Sequence, residues 1–556
     1  MKAYKYLIVL FVLLSLNSSA QSWVWGKQGF GNQQDEGTSA AIDKSCNVFL
    51  AGFFADTLTF GINVLAAKPT NTNVFIVKYD STGNIIWARQ SNSTISFSIP
   101  WMTATDTFGN AYLTGGFGDT ISFGAFDLSS KNSTVDVPLI KYDKNGNVKW
   151  AEQSIINGGS GGCAYSVATW GSNSIYVTGK IYDSLDFGKY KLIGRNTFLV
   201  KYDSNGNVKW AKQSTGTGTA TSSSVASDKT GNIYITGYFA GTLYFGSYKL
   251  ISSTANDIFL VKYDSLGNVL WADMATSSSG NCSSNAVTTD LWGNAIITGS
   301  FSNSLTFGAY ILNAPIYGGI FMAKYDLSGK AVWARMGKSL NPSTWSGYSI
   351  TTDITGDIYL SGGTTKAATS DSIIFDYDTL TLSNCSDASI VAKFDTSGTF
   401  ICGAMITSGG DDQNAIVVDA TGRYIYLGGD YWNSNFVFGK DTVNSSLEMP
   451  FIARWQPCEQ NPQSVNNITA PTQNITLFPN PNNGIFELKI KNYESGMEST
   501  VEIYNVLGEK VYEETLRQAQ GDNKVDISNQ SAGLYLYRLL NEEGTLISSG
   551  KFVIQK

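Results

Sequence analysis

"FLVKYDSNGNVKWAKQ", residues 198–213, decides the fold because the chain says it repeatedly: "FIVKYDSTGNIIWARQ" at 75–90, "PLIKYDKNGNVKWAEQ" at 138–153, "FLVKYDSLGNVLWADM" at 259–274 and "FMAKYDLSGKAVWARM" at 321–336. Trp25, Trp87, Trp150, Trp210, Trp271, Trp333 and Cys402 keep one frame, spaced 62, 63, 60, 61, 62 and 69. Lys78, Lys141, Lys201, Lys262, Lys324, Lys393 and Arg454 keep a second, spaced 63, 60, 61, 62, 69 and 61. Self-similarity at a fixed period indicates architecture before it indicates chemistry.

Within the phrase, apolar and polar residues alternate with a period of two, which predicts strands. In "DIFLVKYD" (257–264), Phe259, Val261 and Tyr263 share one face and Ile258, Leu260 and Lys262 the other. The Asp-x-x-Gly-Asn strings at Asp80, Asp143, Asp203 and Asp264, and again at Asp106, Asp228 and Asp290, read as hairpin turns. There the Asp holds the turn's own backbone and the Gly takes a positive φ. "DKNGN" (143–147) shares part of a calcium loop's spacing, but the downstream bidentate Glu is missing. Calcium is therefore compatible but unsupported, and no cofactor is expected. A second phrase, "SVASDKTGNIYITGYFAGTLYFGSYKL" (224–250), recurs in the other units, so each unit is expected to hold about four short strands. Such units cannot bury both sheet faces alone, and stacking them around an axis solves this.

The expected fold is all-β: a seven-bladed β-propeller of four-stranded blades, each about 60 residues long, over residues 21–457. The two series are out of phase at the ends. "QSWVWGKQ" (21–28) supplies a Trp strand and "PFIARWQP" (450–457) a Lys-type strand, so the termini are expected to complete one shared blade. On these residues the chain resembles the bacterial SBBP-type propeller repeats of exported proteins, a resemblance that implies architecture more than activity.

Residues 1–20, "MKAYKYLIVLFVLLSLNSSA", join two lysines to an apolar run and small residues, and read as a secretory signal peptide. No later segment is long and apolar enough to span a membrane. The formal charge of −7, more negative still without Lys2 and Lys5, disfavours nucleic acid. The absence of histidine excludes Ser-His-Asp and Cys-His catalysis and His-based metal sites. The six cysteines are widely spaced, look incidental to the fold, and leave their pairing open.

After a polar linker (458–473) the composition shifts: up to residue 450 Glu occurs only at 36, 152 and 448, but it occurs nine times between Glu487 and Glu543. "NITLFPNPNNGIFELKI" (474–490), "VEIYNVLGEKVYEE" (501–514), "VDISNQSAGLYLYRLL" (525–540) and "GKFVIQK" (550–556) predict a small Ig-like β-sandwich over 474–556. The Phe478-Pro479-Asn480-Pro481 element, "NVLGEKV", "AGLYLYRL" and the terminal strand resemble, in order, the C-terminal sorting domain of the type IX secretion system of Bacteroidetes. That resemblance implies secretion machinery as a partner, passage across the outer membrane, and surface attachment or release.

Function must then lie in the ring. The lysine series could line a channel and hold an anion, but pairing with turn aspartates is the preferred reading. The unlike stretches between units, such as "SNSTISFSIPWM" (91–102), "SIINGGSGGCAYS" (154–166), "GKSLNPSTWSGYS" (337–349) and "ITSGGDDQN" (406–414), should share one face. Trp101, Tyr165, Trp345 and Tyr348 are the candidate stacking residues there, and Asp411 and Asp412 the candidate hydrogen-bonding acids. A non-catalytic binding or adhesion module for a glycan or protein is the preferred function, with no catalytic residue assigned. A carbohydrate-active hydrolase or lyase is the second reading, and a spacer or matrix protein the third.

Overall fold

In a computed structural model the chain divides into two compact units, Met1–Glu459 and Gln460–Lys556. The structure describes residues 21–458 and 475–556, apart from 69–70, 95–100, 131–133, 156–159, 253, 315–317, 341–343, 366–369, 377, 384–386, 409–414, 420–421, 432–433, 440, 481, 491–497, 506–509, 518–522 and 542–545. The expected signal peptide, nearly all of the expected linker, and Asp411 and Asp412 lie outside the described residues.

The described residues form strands and no helix. Glu36–Ile42, Val48–Ala55, Thr72–Tyr79 and Ile85–Gln90 pair in chain order as an antiparallel sheet. The same order recurs in the sheets that start at Met102–Thr105, Gly162–Trp170, Thr219–Ser227, Cys282–Thr289 and Thr344–Thr352. A further sheet runs Ala415–Val418, Ile425–Tyr431, Met449–Gln456 and then Ser22–Gln28, so strands far apart in sequence share it, with Gln28 opposite Phe451. The first strands touch in sequence, and Glu36–Ile42 touches Ala415–Val418 as well as Met102–Thr105. The contacts therefore return to their starting point, a propeller-like arrangement.

Stacking buries both faces of each sheet. Ile258, Phe259, Leu260 and Val261 are each at most 1% exposed, and Ile258, Leu260 and Trp271 share a core with Ile297, Phe321 and Ala323 of the next sheet. At about 1.5–3 kcal/mol for each large buried apolar side chain, this inter-sheet core is the main stabilising term.

Each unit is richer than the expected four strands. The Phe-Gly phrase is a separate hairpin between second and third strands, as in Thr242–Phe245 with Tyr248–Ile251, and it pairs with Thr215–Gly216 from the connection entering the unit. The extra pair arises because Gly241, at φ 75°, breaks the long alternating run and reverses its pairing.

The repeated phrase forms the hairpin of third and fourth strands. Asp203 Oδ1 accepts the amides of Asn205 and Asn207 at 2.9 and 3.0 Å, and Gly206 takes φ 86°. Tyr176, Lys201 and Trp210 are cross-strand neighbours in one row, and the Lys201 ammonium lies 5.4 Å from the centre of the Tyr176 ring. Lys201 and Trp210 both donate to the Ser265 carbonyl in the next unit's turn, at 3.0 and 3.3 Å. Lys141 and Trp150 do the same to Ser204, at 2.9 and 3.0 Å. Lys78, Lys324 and Lys393 pair with Asp43, Asp290 and Asp357 at 3.0, 2.9 and 2.9 Å. Lys141 and Lys201 thus tie one sheet to the next, the three ion pairs brace strands of a single sheet, and none of these lysines is among the described lining of the cavity described below.

One frame member differs. Cys402 stands where the others have Trp, and it forms a disulfide with Cys458, just past Met449–Gln456. That third strand is followed by no hairpin turn, because its partner Ser22–Gln28 comes from the other end of the chain. The cysteines are thus not all incidental to the fold.

The second unit holds a three-stranded sheet (Ile475–Phe478, Ile485–Ile490, Asn523–Asp526) and a four-stranded one (Lys510–Arg517, Glu498–Asn505, Gly533–Asn541, Leu546–Ile554), all antiparallel. Phe486, Leu488 and Val525 of the first share a core with Val501, Ile503, Leu539 and Phe552 of the second. In the Gly533–Asn541 strand Tyr535 faces inward while Leu534 and Leu536 are 42% and 47% exposed, so the tyrosine face is the buried one.

Candidate binding cavity

Where the first strands converge they enclose a cavity of about 670 Å³. Each of these strands contributes to its wall, and Tyr238 joins from a second strand. Its shape follows from a one-residue irregularity in the pairing of first and second strands. Register shifts fall between Gly37 and Ser39, Ala164 and Ser166, Ser222 and Ser224, Ser284 and Ala286, and Gly347 and Ser349. The residues that these shifts leave outside the ladder register are Thr38, Tyr165, Ser223, Asn285 and Tyr348, and all five line the cavity. A bulge re-aims one side chain out of the alternation.

The residues following the bulges bind first strand to first strand. Ser39, Ser166 and Ser224 Oγ accept the amides of Thr103, Val225 and Val287 at 3.1, 3.1 and 3.2 Å. Three residues further on, Thr105, Thr169, Ser227, Thr289 and Thr352 hydroxyls donate to the carbonyls of Ile42, Thr105, Thr169, Ser227 and Thr289 at 2.5–3.1 Å. Two tiers of hydroxyls therefore satisfy backbone groups on the strand edges that face the axis. A Ser-x-x-Thr or Ser-x-x-Ser spacing at 166–169, 224–227 and 349–352 is the sequence signal that could have located this wall.

Among the described lining residues none carries a formal charge. Asn285 Nδ2 is fixed by Ser346 Oγ and the Gly347 carbonyl, both at 2.9 Å, and Thr38 Oγ1 donates to the Trp101 carbonyl at 2.6 Å. The Tyr165 hydroxyl lies 3.1 Å from that of Tyr182, and burial raises its pKa, so it remains a neutral phenol.

Tyr165 and Tyr348 line the cavity. Trp101 and Trp345 do not present stacking faces: they are 1% and 0% exposed, and Trp101 packs 5.9 Å from Phe123 while Trp345 joins the core around Ile320 and Phe375. Large apolar rings adjoining a connection gain more from the inter-sheet core than from solvent. Thr38, Ser223, Tyr238 and Asn285, which the sequence did not single out, line the cavity as well. Two buried carboxyls have raised pKa values, Asp35 at about 7 and Asp136 at about 6, in both cases chiefly through burial. Neither lines the cavity.

An uncharacterized WD repeat-containing protein, L264 of Acanthamoeba polyphaga mimivirus, is 26% identical over 277 residues, 45% of this chain but only 16% of that protein. Among solved structures, YCF48 bound to D1 peptide covers 80% of this chain and 99% of its own at 7% identity and a TM-score of 0.36. A polysaccharide lyase, the PL25 ulvan lyase bound to its saccharide, covers 74% of this chain and 93% of its own at 9% identity and a TM-score of 0.37. The tail is matched as a family: residues 476–555 fit the secretion system C-terminal sorting domain, so this chain carries the tail that implies type IX export to the cell surface or beyond.

Proposed function

We propose that residues 21–457 are a seven-bladed β-propeller of the SBBP-type repeat, made with a cleavable signal peptide. An Ig-like sorting domain delivers it to the secretion machinery, and it then serves as a non-catalytic binding or adhesion module for an extracellular glycan or protein. The blade count is supported by the recurring four-strand order and the first strands that touch in a cycle. The observation that carries the function is the cavity: preformed, concave, and faced by bulge-aimed Tyr, Asn, Ser and Thr with no charged group among its described lining residues. Such a wall suits recognition through hydrogen bonds and ring faces. Among its described lining residues there is no carboxyl pair for glycosidic cleavage.

The test incubates the purified chain with immobilised glycans and matrix proteins, with and without calcium, and scores both retention and released fragments. Retention without fragments is the expected result. Released fragments would replace the reading with a hydrolase or lyase, and silence in both channels would replace it with a spacer.

A further inference from the structure

The bulges and the hydroxyl tiers together say what kind of ligand the cavity takes, an inference that rests on the binding-module reading above. We infer that the cavity binds an uncharged, hydroxyl-rich glycan end, and that the bulged residues Tyr165, Ser223, Asn285 and Tyr348 determine which one.

Three observations lead there. First, peptides captured by sheet proteins commonly dock by main-chain hydrogen bonds to a free strand edge. Here edge groups of the first strands are taken by neighbouring Ser and Thr hydroxyls, from Thr105 on Ile42 round to Thr352 on Thr289. The recognising groups left to the wall are side chains. Second, those side chains are neutral and amphoteric. A hydroxyl both donates and accepts, and the Asn285 oxygen can still accept although its Nδ2 is held by Ser346 and Gly347, which matches sugar hydroxyls, and these residues give no counter-charge to a carboxylate, sulfate or ammonium. Third, the bulge positions place aromatic rings on different first strands, Tyr165 on Gly162–Trp170 and Tyr348 on Thr344–Thr352, with Tyr238 as a further ring in the wall. A phenol ring offers a stacking face with a polar tip. The volume, about 670 Å³, lies inside the roughly 300–1,000 Å³ of small-ligand sites, so the cavity holds the end of a glycan and not its length.

A bulged residue is outside the alternation that builds the core, so it can change without disturbing the packing of its strand. Thr, Tyr, Ser, Asn and Tyr occupy these positions in successive bulged strands, whereas the tier three residues beyond Ser166, Ser224 and Ala286 stays Thr or Ser. The tier is framework, and the bulge set is the reader.

The full chain is titrated calorimetrically with neutral tetrasaccharides of glucose, mannose, galactose and xylose and with an acidic oligouronate. The same is done for Tyr348→Ala, Tyr165→Ala and Ser223→Asp, each verified by melting temperature. The expected result is binding of at least one neutral tetrasaccharide, weakened about tenfold or more by each variant, with the oligouronate inert. Ser223→Asp guards against a folding artefact, since it adds a charge at an unpaired position and removes no packed ring. Neutral-glycan binding that all three variants leave intact overturns the cavity assignment while the binding-module reading stands. Binding of the oligouronate alone, or no glycan binding alongside retention of a matrix protein, overturns the ligand class. Cleavage of the tetrasaccharide overturns the binding-module reading itself.

Discussion

Asp35 is fully buried, its Oδ1 accepts the Ala55 amide at 3.0 Å, and its Oδ2 has no partner. Burial raises its pKa to about 7 against the Ala55 hydrogen bond, with the Asp56 charge adding to the rise. An acid with a raised folded pKa keeps its proton in the native state after the unfolded chain has lost it. Stability therefore falls as pH climbs from about 4 to about 7, and levels off above. Asp35→Asn removes that dependence. Relative to the wild type, the variant should gain about 1–3 kcal/mol between pH 4.5 and pH 8, read as a melting-temperature difference that grows with pH. A difference that stays constant with pH would mean Asp35 keeps an ordinary carboxyl.

At the scale of the element, the Asp-x-x-Gly turn of one unit is the floor for the preceding unit's tryptophan. A Cβ at Gly329, where φ is 86°, would stand 2.7 Å from the Trp271 ring, whereas Gly308, at φ 56°, has nothing within 4 Å. Both Ala variants strain the backbone, and only the first also displaces the indole that donates to the Leu327 carbonyl at 3.0 Å. Gly308→Ala should cost about 1 kcal/mol and Gly329→Ala about 1–3 kcal/mol more, measured by denaturant unfolding. Equal costs would show that the Trp–turn contact adds nothing.

This contact also marks how far the sequence can be read. The phrase at 198–213 announces its hairpin, its turn and its period, because Asp, Gly and alternation act locally. The Phe-Gly hairpin is lost in "YITGYFAGTLYFGSYKL" (234–250), since its partner Thr215–Gly216 lies a whole strand pair away. The same holds for the residues around the cavity. Trp101, Tyr165, Trp345 and Tyr348 look alike as aromatics in polar connections, but a bulge points Tyr165 and Tyr348 inward, and its register is set by the opposing strand. Ser223 and Asn285 carry no aromatic flag and gain significance only from that register.

For the first unit as a whole, Cys402–Cys458 replaces a Trp–turn contact at the place where no turn exists. Its sequence separation is 56, and restricting a loop of that size in the unfolded chain corresponds to about 2–4 kcal/mol. Cys402→Ser should lower the melting temperature by several degrees, and reductant should bring the wild type to the same value. A wild type indifferent to reductant would remove the disulfide from the closure. Cys163 is fully buried and unpaired, so Cys163→Ser should leave the response to reductant unchanged.

The same seam governs assembly in time. Ser22–Gln28 is made long before its partner Met449–Gln456 and must wait for it, since Gln28 pairs with Phe451. Loop-closure entropy grows only logarithmically with length, so the wait costs little stability, but non-local pairing is slow. Until it ends, an unfinished ring exposes one unpaired strand and one open sheet edge, and a second chain presents the same strand in the same register. Crowding during refolding thus turns a closing step into an exchange between chains, and the first product of overconcentration should be a strand-swapped dimer.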